Sequence, residues 1–143
     1  MLNQEFANLV GAWRLLSFGY TFVDTGERVD VFGPNPDGYM VLSHTGRIMF
    51  LFGSRDRSTP QNDADRASLF NQMYGYTGLI QAAGPSSFIT KVDYAWNPAW
   101  GGDQLRHFKL EGDKLLITSR EQTVPAHGTR LIVGDVLWVR EGS

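Results

Sequence analysis

The stretch "GAWRLLSF" at Gly11–Phe18 decides the fold once it is set against "VLWVR" at Val136–Arg140. The first carries a Gly-x-Trp at the start of an apolar run, and the second ends an apolar run on arginine. If both runs are strands of one sheet, an edge pairing between them would close that sheet on itself. Trp13 and Arg140 would then be neighbours, and a guanidinium stacked on an indole contributes about 0.5–2 kcal/mol. Both residues are read as structural.

Working outward, short apolar or alternating runs are separated by Gly, Pro, Asn and Asp, the pattern of an all-β barrel or sandwich. Strands are predicted near 11–22, 28–33, 38–44, 47–53, 75–82, 87–96, 103–110, 114–120 and 129–140. Thr45-Gly46 suits a two-residue hairpin, "NPDG" at Asn35–Gly38 suits a type I turn, and "EGD" at Glu111–Asp113 suits another short connection. Short links make consecutive strands antiparallel neighbours, so the topology is an up-and-down meander. Such a meander has two exposed edges unless it closes, and about eight closed strands enclose either a packed interior or room for one small ligand. One segment, "STPQNDADRASLFNQMYG", has helical spacing instead. Thr59 is a candidate N-cap, Pro60 the first helical residue, and Ala67, Phe70, Met73 and Tyr74 the apolar side. A helix over about 60–74 would cap or flank the barrel.

The 143 residues read as a single domain over 1–143, long enough to bury roughly 70% of the unfolded surface. Charged residues make up 20%, the formal charge is −2, and basic residues are scattered, so no nucleic-acid partner is expected. No apolar run approaches the ~20 residues of a membrane-spanning helix, and no membrane partner is expected. "MLNQEFANLVG" lacks the flank and core of a signal peptide, and there is no cysteine, so the expected location is the cytoplasm. Aromatics reach 13% of residues. Two uses fit them: filling a β core, or walling a cavity for an apolar ligand.

Five stretches taken together resemble a known family. They are "LVGAWRLLSF" at 9–18, "GYMVLSHTGRIMFLF" at 38–52, "YGYTGLIQ" at 74–81, "NPAWGGDQLRHFKLEGDKLLIT" at 97–118 and "LWVR" at 137–140. Gly-x-Trp with a late arginine resembles the lipocalin and calycin fingerprint. The whole run resembles the small bacterial and fungal lipocalin-like domain family. That resemblance implies a closed barrel with a ligand cavity, and it implies no particular reaction. Some members of the family sit in natural-product pathways. The family pattern often has a histidine on the strand before the P-x-W-x-G turn; this chain has Thr90 there, so no role is assigned through that histidine.

Alternation sorts the candidate site residues. Phe88, Thr90, Val92 and Tyr94, continuing to Trp96, share one face of the sixth strand, and Lys91 and Asp93 mark the other as outer. On the seventh, Gln104, Arg106 and Phe108 alternate with Leu105, His107 and Lys109; if Phe108 points inward, so does Arg106. An inward guanidinium cannot lose its proton and needs a partner, which a ligand carboxylate or enolate could supply. A partnered or outward arginine is the alternative. Tyr39, Tyr74, Tyr76 and Tyr94 could donate phenolic hydrogen bonds, and Phe50, Phe70, Phe88, Trp96 and Phe108 could form walls. Arg106, His107, His44 and Tyr94 are the candidates for acid–base or electrostatic chemistry. His127 lies in the loop "TVPAHGTR", and Trp100 is either a lid or a surface packing residue.

Motifs for other chemistry are missing. There is no Gly-x-Ser-x-Gly elbow, no His-x-His or HExxH, no calcium loop and no nucleotide-binding glycine pattern, so neither metal nor cofactor is expected. Three readings follow. The first is a barrel that binds a small, largely apolar or aromatic molecule. The second is a cofactor-free cyclase or isomerase that folds a polyketide- or terpenoid-like intermediate in the same cavity. The third is a packed barrel whose outer surface mediates assembly. An inward polar cluster around Arg106 would favour the enzyme, and a smooth aromatic cavity would favour carriage. Either a monomer or a homodimer is compatible with the sequence.

Overall fold

A computed structural model describes residues 4–142; Met1–Asn3 and Ser143 of the expected domain lie outside the described residues. A short helix α1 (Gln4–Ala7) leads into strand β1 (Gly11–Phe22), followed by β2 (Arg28–Asp30), β3 (Asp37–Leu42) and β4 (Arg47–Gly53). Helix α2 (Asp63–Asn71) precedes β5 (Met73–Ala82), β6 (Ser87–Ala95), β7 (Gly102–Glu111), β8 (Lys114–Ser119) and β9 (Ile132–Arg140). From β3 to β9 each strand pairs antiparallel with the next. β1 completes the ring, pairing with β3 over Gly11–Arg14 and with β9 from Trp13↔Arg140 to Phe22↔Ile132. Eight strands thus close into a barrel, and β2 is an extra strand on the far half of β1.

The closure uses the residues that open and end the chain's apolar runs. The Arg140 guanidinium lies 4.2 Å from the Trp13 ring centroid. It also donates to the carbonyls of Val10 (3.1 Å) and Asn8 (2.6 Å), which fixes the turn leading into β1. The Trp13 indole nitrogen donates to the Leu9 carbonyl at 3.0 Å, so this fully buried ring has its polar atom satisfied. Gly11 is constrained twice: its φ is +135°, and a Cβ there would stand 3.1 Å from Arg140 Nη1. Replacing Arg140 with leucine leaves two carbonyls without their charged donor and removes the stacking. About 2–3 kcal/mol of stability should be lost in chemical denaturation; a loss under 0.5 kcal/mol would contradict this role.

A bulge at Leu16 shifts the register of β1. Trp13 and Leu15 therefore face inward before it, and Phe18, Tyr20 and Phe22 after it. α1 plugs the near end of the barrel: buried Phe6 sits 5.3 Å from the Phe108 ring and 6.4 Å from Phe88. Among the described residues, none plugs the far end in this way. Its rim carries the end of α2, a 3₁₀ turn at Pro98–Trp100 and a second at Pro125–His127.

Several sequence expectations need correction. α2 starts three residues later than a Thr59 cap implies, because the Asn62 side chain accepts from the Asp65 backbone N–H at 2.8 Å. It ends at Asn71, and Met73 and Tyr74 belong to β5. The helix buries no residue; Phe70 stacks on Trp96 outside the barrel at 5.5 Å, and the Trp96 indole donates to the Phe70 carbonyl at 3.0 Å. α2 therefore flanks the rim. β2 stops at Asp30, and β3 ends at Leu42, which leaves His44 exposed in the hairpin loop. That loop has three residues, His44–Gly46, closed by the Ser43 N–H donating to the Arg47 carbonyl. No described helix is long and apolar enough to cross a membrane.

Candidate functional site

Beyond the plug, the barrel is hollow. A cavity of about 910 Å³ runs inward from the open end, lined by Phe18, Tyr20, Phe32, Tyr74, Trp100 and Arg106 among others. Pockets that enclose drug-sized ligands typically span about 300–1,000 Å³. At its foot is a small chamber of about 40 Å³ bounded by Phe50, Tyr76, Phe88, Arg106 and Trp138. Arg106 and Tyr74 border both spaces and so stand where one meets the other. The walls are flat rings in stacked and edge contact. Phe18 and Tyr74 stack 5.9 Å apart, Phe50 meets Tyr76 at 4.4 Å, and Trp100 stands edge-on to Tyr74 at 4.4 Å. Gly134 on β9 faces inward beside Tyr20, and the absent side chain leaves room there.

The electrostatics of the interior are one-sided. No Asp or Glu is among the described residues lining either space, and Arg106 is the only arginine or lysine there. Its Nη1 donates to the Leu105 carbonyl (2.8 Å) and its Nη2 to Gln104 Oε1 (3.2 Å); none of the ion pairs among the described residues includes it. Burial, with Tyr74 beside it, pushes the Tyr20 hydroxyl up to about 12, against the smaller pull of Arg106. Burial raises the Tyr76 hydroxyl further, opposed by Arg106 and Thr90. Both phenols are therefore neutral donors at physiological pH. Among the described residues, Thr90 Oγ1 and Trp138 Nε1 are buried polar atoms without a partner that meets strict hydrogen-bond geometry. Thr90 and Arg106 both stand within hydrogen-bonding reach of the Tyr76 hydroxyl and draw it down against the larger effect of burial.

Set against the sequence expectations, Phe50, Tyr74, Tyr76, Phe88, Thr90 and Arg106 come together inside the barrel. Phe108 also points inward but is packed under the plug against Phe6. The condition set by Phe108 thus resolves with Arg106 inward. Other candidates lie elsewhere. Tyr94 is 79% exposed, because a bulge at Asp93 flips the alternation of β6 after Val92. Trp96 follows it outward, onto Phe70. Tyr39 lies on the outer face of β3, paired with exposed Leu51. His107 points out and contacts Ser87 Oγ through Nδ1 at 2.7 Å, and His44 is in its exposed turn.

The sequence reading missed several wall residues, Phe32 among them, and one loop residue. Phe52 alternates with Phe50 and Ile48 and was legible by period two. Phe18 and Tyr20 were hidden by the Leu16 bulge, and Trp138 sits two residues before Arg140 in a run whose reading is structural closure. His127 borders the cavity mouth, with its ring 4.9 Å from Phe22 and 6.2 Å from Tyr20. Nothing in a loop sequence fixes such a position.

Comparisons with known proteins bear on the fold more than on the ligand. No curated protein matches the sequence. Among solved structures, a redesigned β-barrel aligns over 99% of this chain and 98% of its own at 12% identity, with a TM-score of 0.47. A family model described as "lipocalin-like domain" matches residues 10–141, nearly the whole chain. With its ends pinned through Trp13 and Arg140 around a hollow interior, the chain belongs to the lipocalin-like domain family.

Proposed function

We propose that this protein binds a small, largely apolar or aromatic molecule inside the barrel. The supporting observation is the ring-walled cavity of about 910 Å³, closed at one end by α1 and open at the other. A ligand entering there exchanges water for the faces of Phe18, Phe32, Tyr74 and Trp100, at roughly 25 cal/mol per Å² of apolar surface buried. Thermal shift and tryptophan quenching against a panel of aromatic and aliphatic compounds test the reading, since Trp100 and Trp138 border the interior. At least one compound class should raise Tm and quench emission; a panel that does neither overturns it.

Gly134→Ile gives a sharper test. The new Cβ makes only ordinary contacts, 3.4 Å from Ser119 Oγ and 3.8 Å from the Tyr20 ring, and the rest of the side chain projects into the cavity. Affinity for any bound compound should fall about tenfold or more, while Tm of the free protein holds or rises as empty space fills. Unchanged affinity would place the ligand elsewhere.

A second reading, a cofactor-free cyclase or isomerase, is favoured by the inward cluster of Arg106 with Tyr20, Tyr74 and Tyr76. Those groups can stabilise developing negative charge on a carbonyl oxygen. Binding ranks first because proton transfer has few agents inside. Arginine does not deprotonate, Tyr20 and Tyr76 are pushed upward, and His127 stands at the mouth.

A further inference from the structure

We propose that the inner chamber is a carboxylate site, so that the ligand class is an apolar or aromatic body bearing one planar oxyanion. The proposal rests on the binding reading above and adds a head group to it. Three observations meet at the chamber, and a fourth lies beside it. The guanidinium of Arg106 borders the chamber with no carboxylate opposite it among the described residues. Leu105 and Gln104 take two of its five N–H groups and the Tyr76 hydroxyl interacts with the guanidinium as well, which leaves at most two for an incoming acceptor. Trp138 Nε1, a donor and never an acceptor, is buried at 2% exposure without a partner. Thr90 Oγ1, on a residue with no exposure at all, stands outside the chamber's lining beside Tyr76, whose hydroxyl is the polar group within its reach.

The chemistry of this set is specific. Arginine and indole can only donate, and the neutral Tyr76 hydroxyl carries a proton it can donate as well as a lone pair that accepts. Such a surplus of donors around a fixed positive charge is matched by an acceptor carrying negative charge. The volume agrees. A space of about 40 Å³ accommodates about three water-sized occupants at ~10–15 Å³ each, which is the scale of a carboxylate. A guanidinium fork also matches a planar carboxylate in two parallel hydrogen bonds. The apolar body would then extend from the Arg106 boundary into the larger cavity, between Phe18, Tyr74 and Trp100. An enolate or phenolate oxygen shares this chemistry, and the same donors would hold it.

The experiment compares 2-naphthoate with 2-naphthalenemethanol, which differ at the head group and share the ring body. Both are titrated by calorimetry into the wild-type protein, Arg106→Gln, Thr90→Val and the outer-face control Arg47→Gln, whose arginine pairs with Asp93 outside the barrel. The expected result is at least tenfold tighter binding of naphthoate by the wild type. That preference should collapse in Arg106→Gln and shrink in Thr90→Val, while Arg47→Gln keeps it. The wild-type comparison needs no variant, so it holds even where a substitution impairs folding. Equal affinity for the two probes in the wild type overturns the carboxylate site and leaves the binding reading standing. A preference that survives Arg106→Gln but is lost in Arg47→Gln also overturns it, by placing the anion on the outer surface. Failure of both probes to bind overturns the site and counts against the binding reading as well.

Discussion

Trp13→Ala is expected to remove about 3–5 kcal/mol of stability, the range for truncating a large aromatic in a packed core. Trp13 has no exposed surface, its indole nitrogen holds the Leu9 carbonyl, and its face supports Arg140. Alanine removes all three at once, at the seam where β1 meets β9. For a chain of this size Tm should fall by roughly 10 °C or more. Urea denaturation followed by far-ultraviolet circular dichroism measures it. The double variant Trp13→Ala, Arg140→Leu should cost less than the sum of the singles, because the two residues touch. Strict additivity would mean the seam is not a single unit.

Phe6→Ala should cost about 3–4 kcal/mol. This is unusual for a residue in a four-residue helix at the start of the described chain. Isolated helices of that length have no stability of their own, so α1 persists only through what it packs against. Phe6 is 1% exposed and its ring touches Phe88 and Phe108 at the barrel's near end. Removing it leaves a void against those rings and admits water to the core. Phe6→Leu, which keeps most of the volume, should recover more than half of the loss. If Phe6→Ala melts within 2 °C of the wild type, α1 is not the plug described here.

How far the sequence foretold this molecule depends on whether the chain keeps strict alternation. Trp13 and Arg140 were legible as a pair because closing a meander forces its first and last strands together, and the register places them opposite each other. Arg106 was legible only conditionally, through Phe108 on the same face, and packing under α1 resolved it. Where a strand departs from period two, reading fails on schedule. The bulge at Asp93 sends Tyr94 outward, and the bulge at Leu16 turns Phe18 and Tyr20 inward. α2 misled differently: Phe70 has helical spacing, but its partner is Trp96 on the outside of the sheet. The unpartnered state of Thr90 and Trp138 lies beyond any one-dimensional pattern, since it depends on what fails to arrive from other strands.

The central claim is that the molecule carries an accessible hollow that takes a guest, and two-dimensional amide NMR during titration with 2-naphthoate addresses it directly. Saturable shifts are predicted at Tyr20, Tyr74, Arg106, Gly134 and Val136, all bordering the interior. Outer-face Val41, Met49 and Leu51 should stay in place. Shifts confined to that outer face, or none at ligand concentrations well above the protein's, would contradict the account.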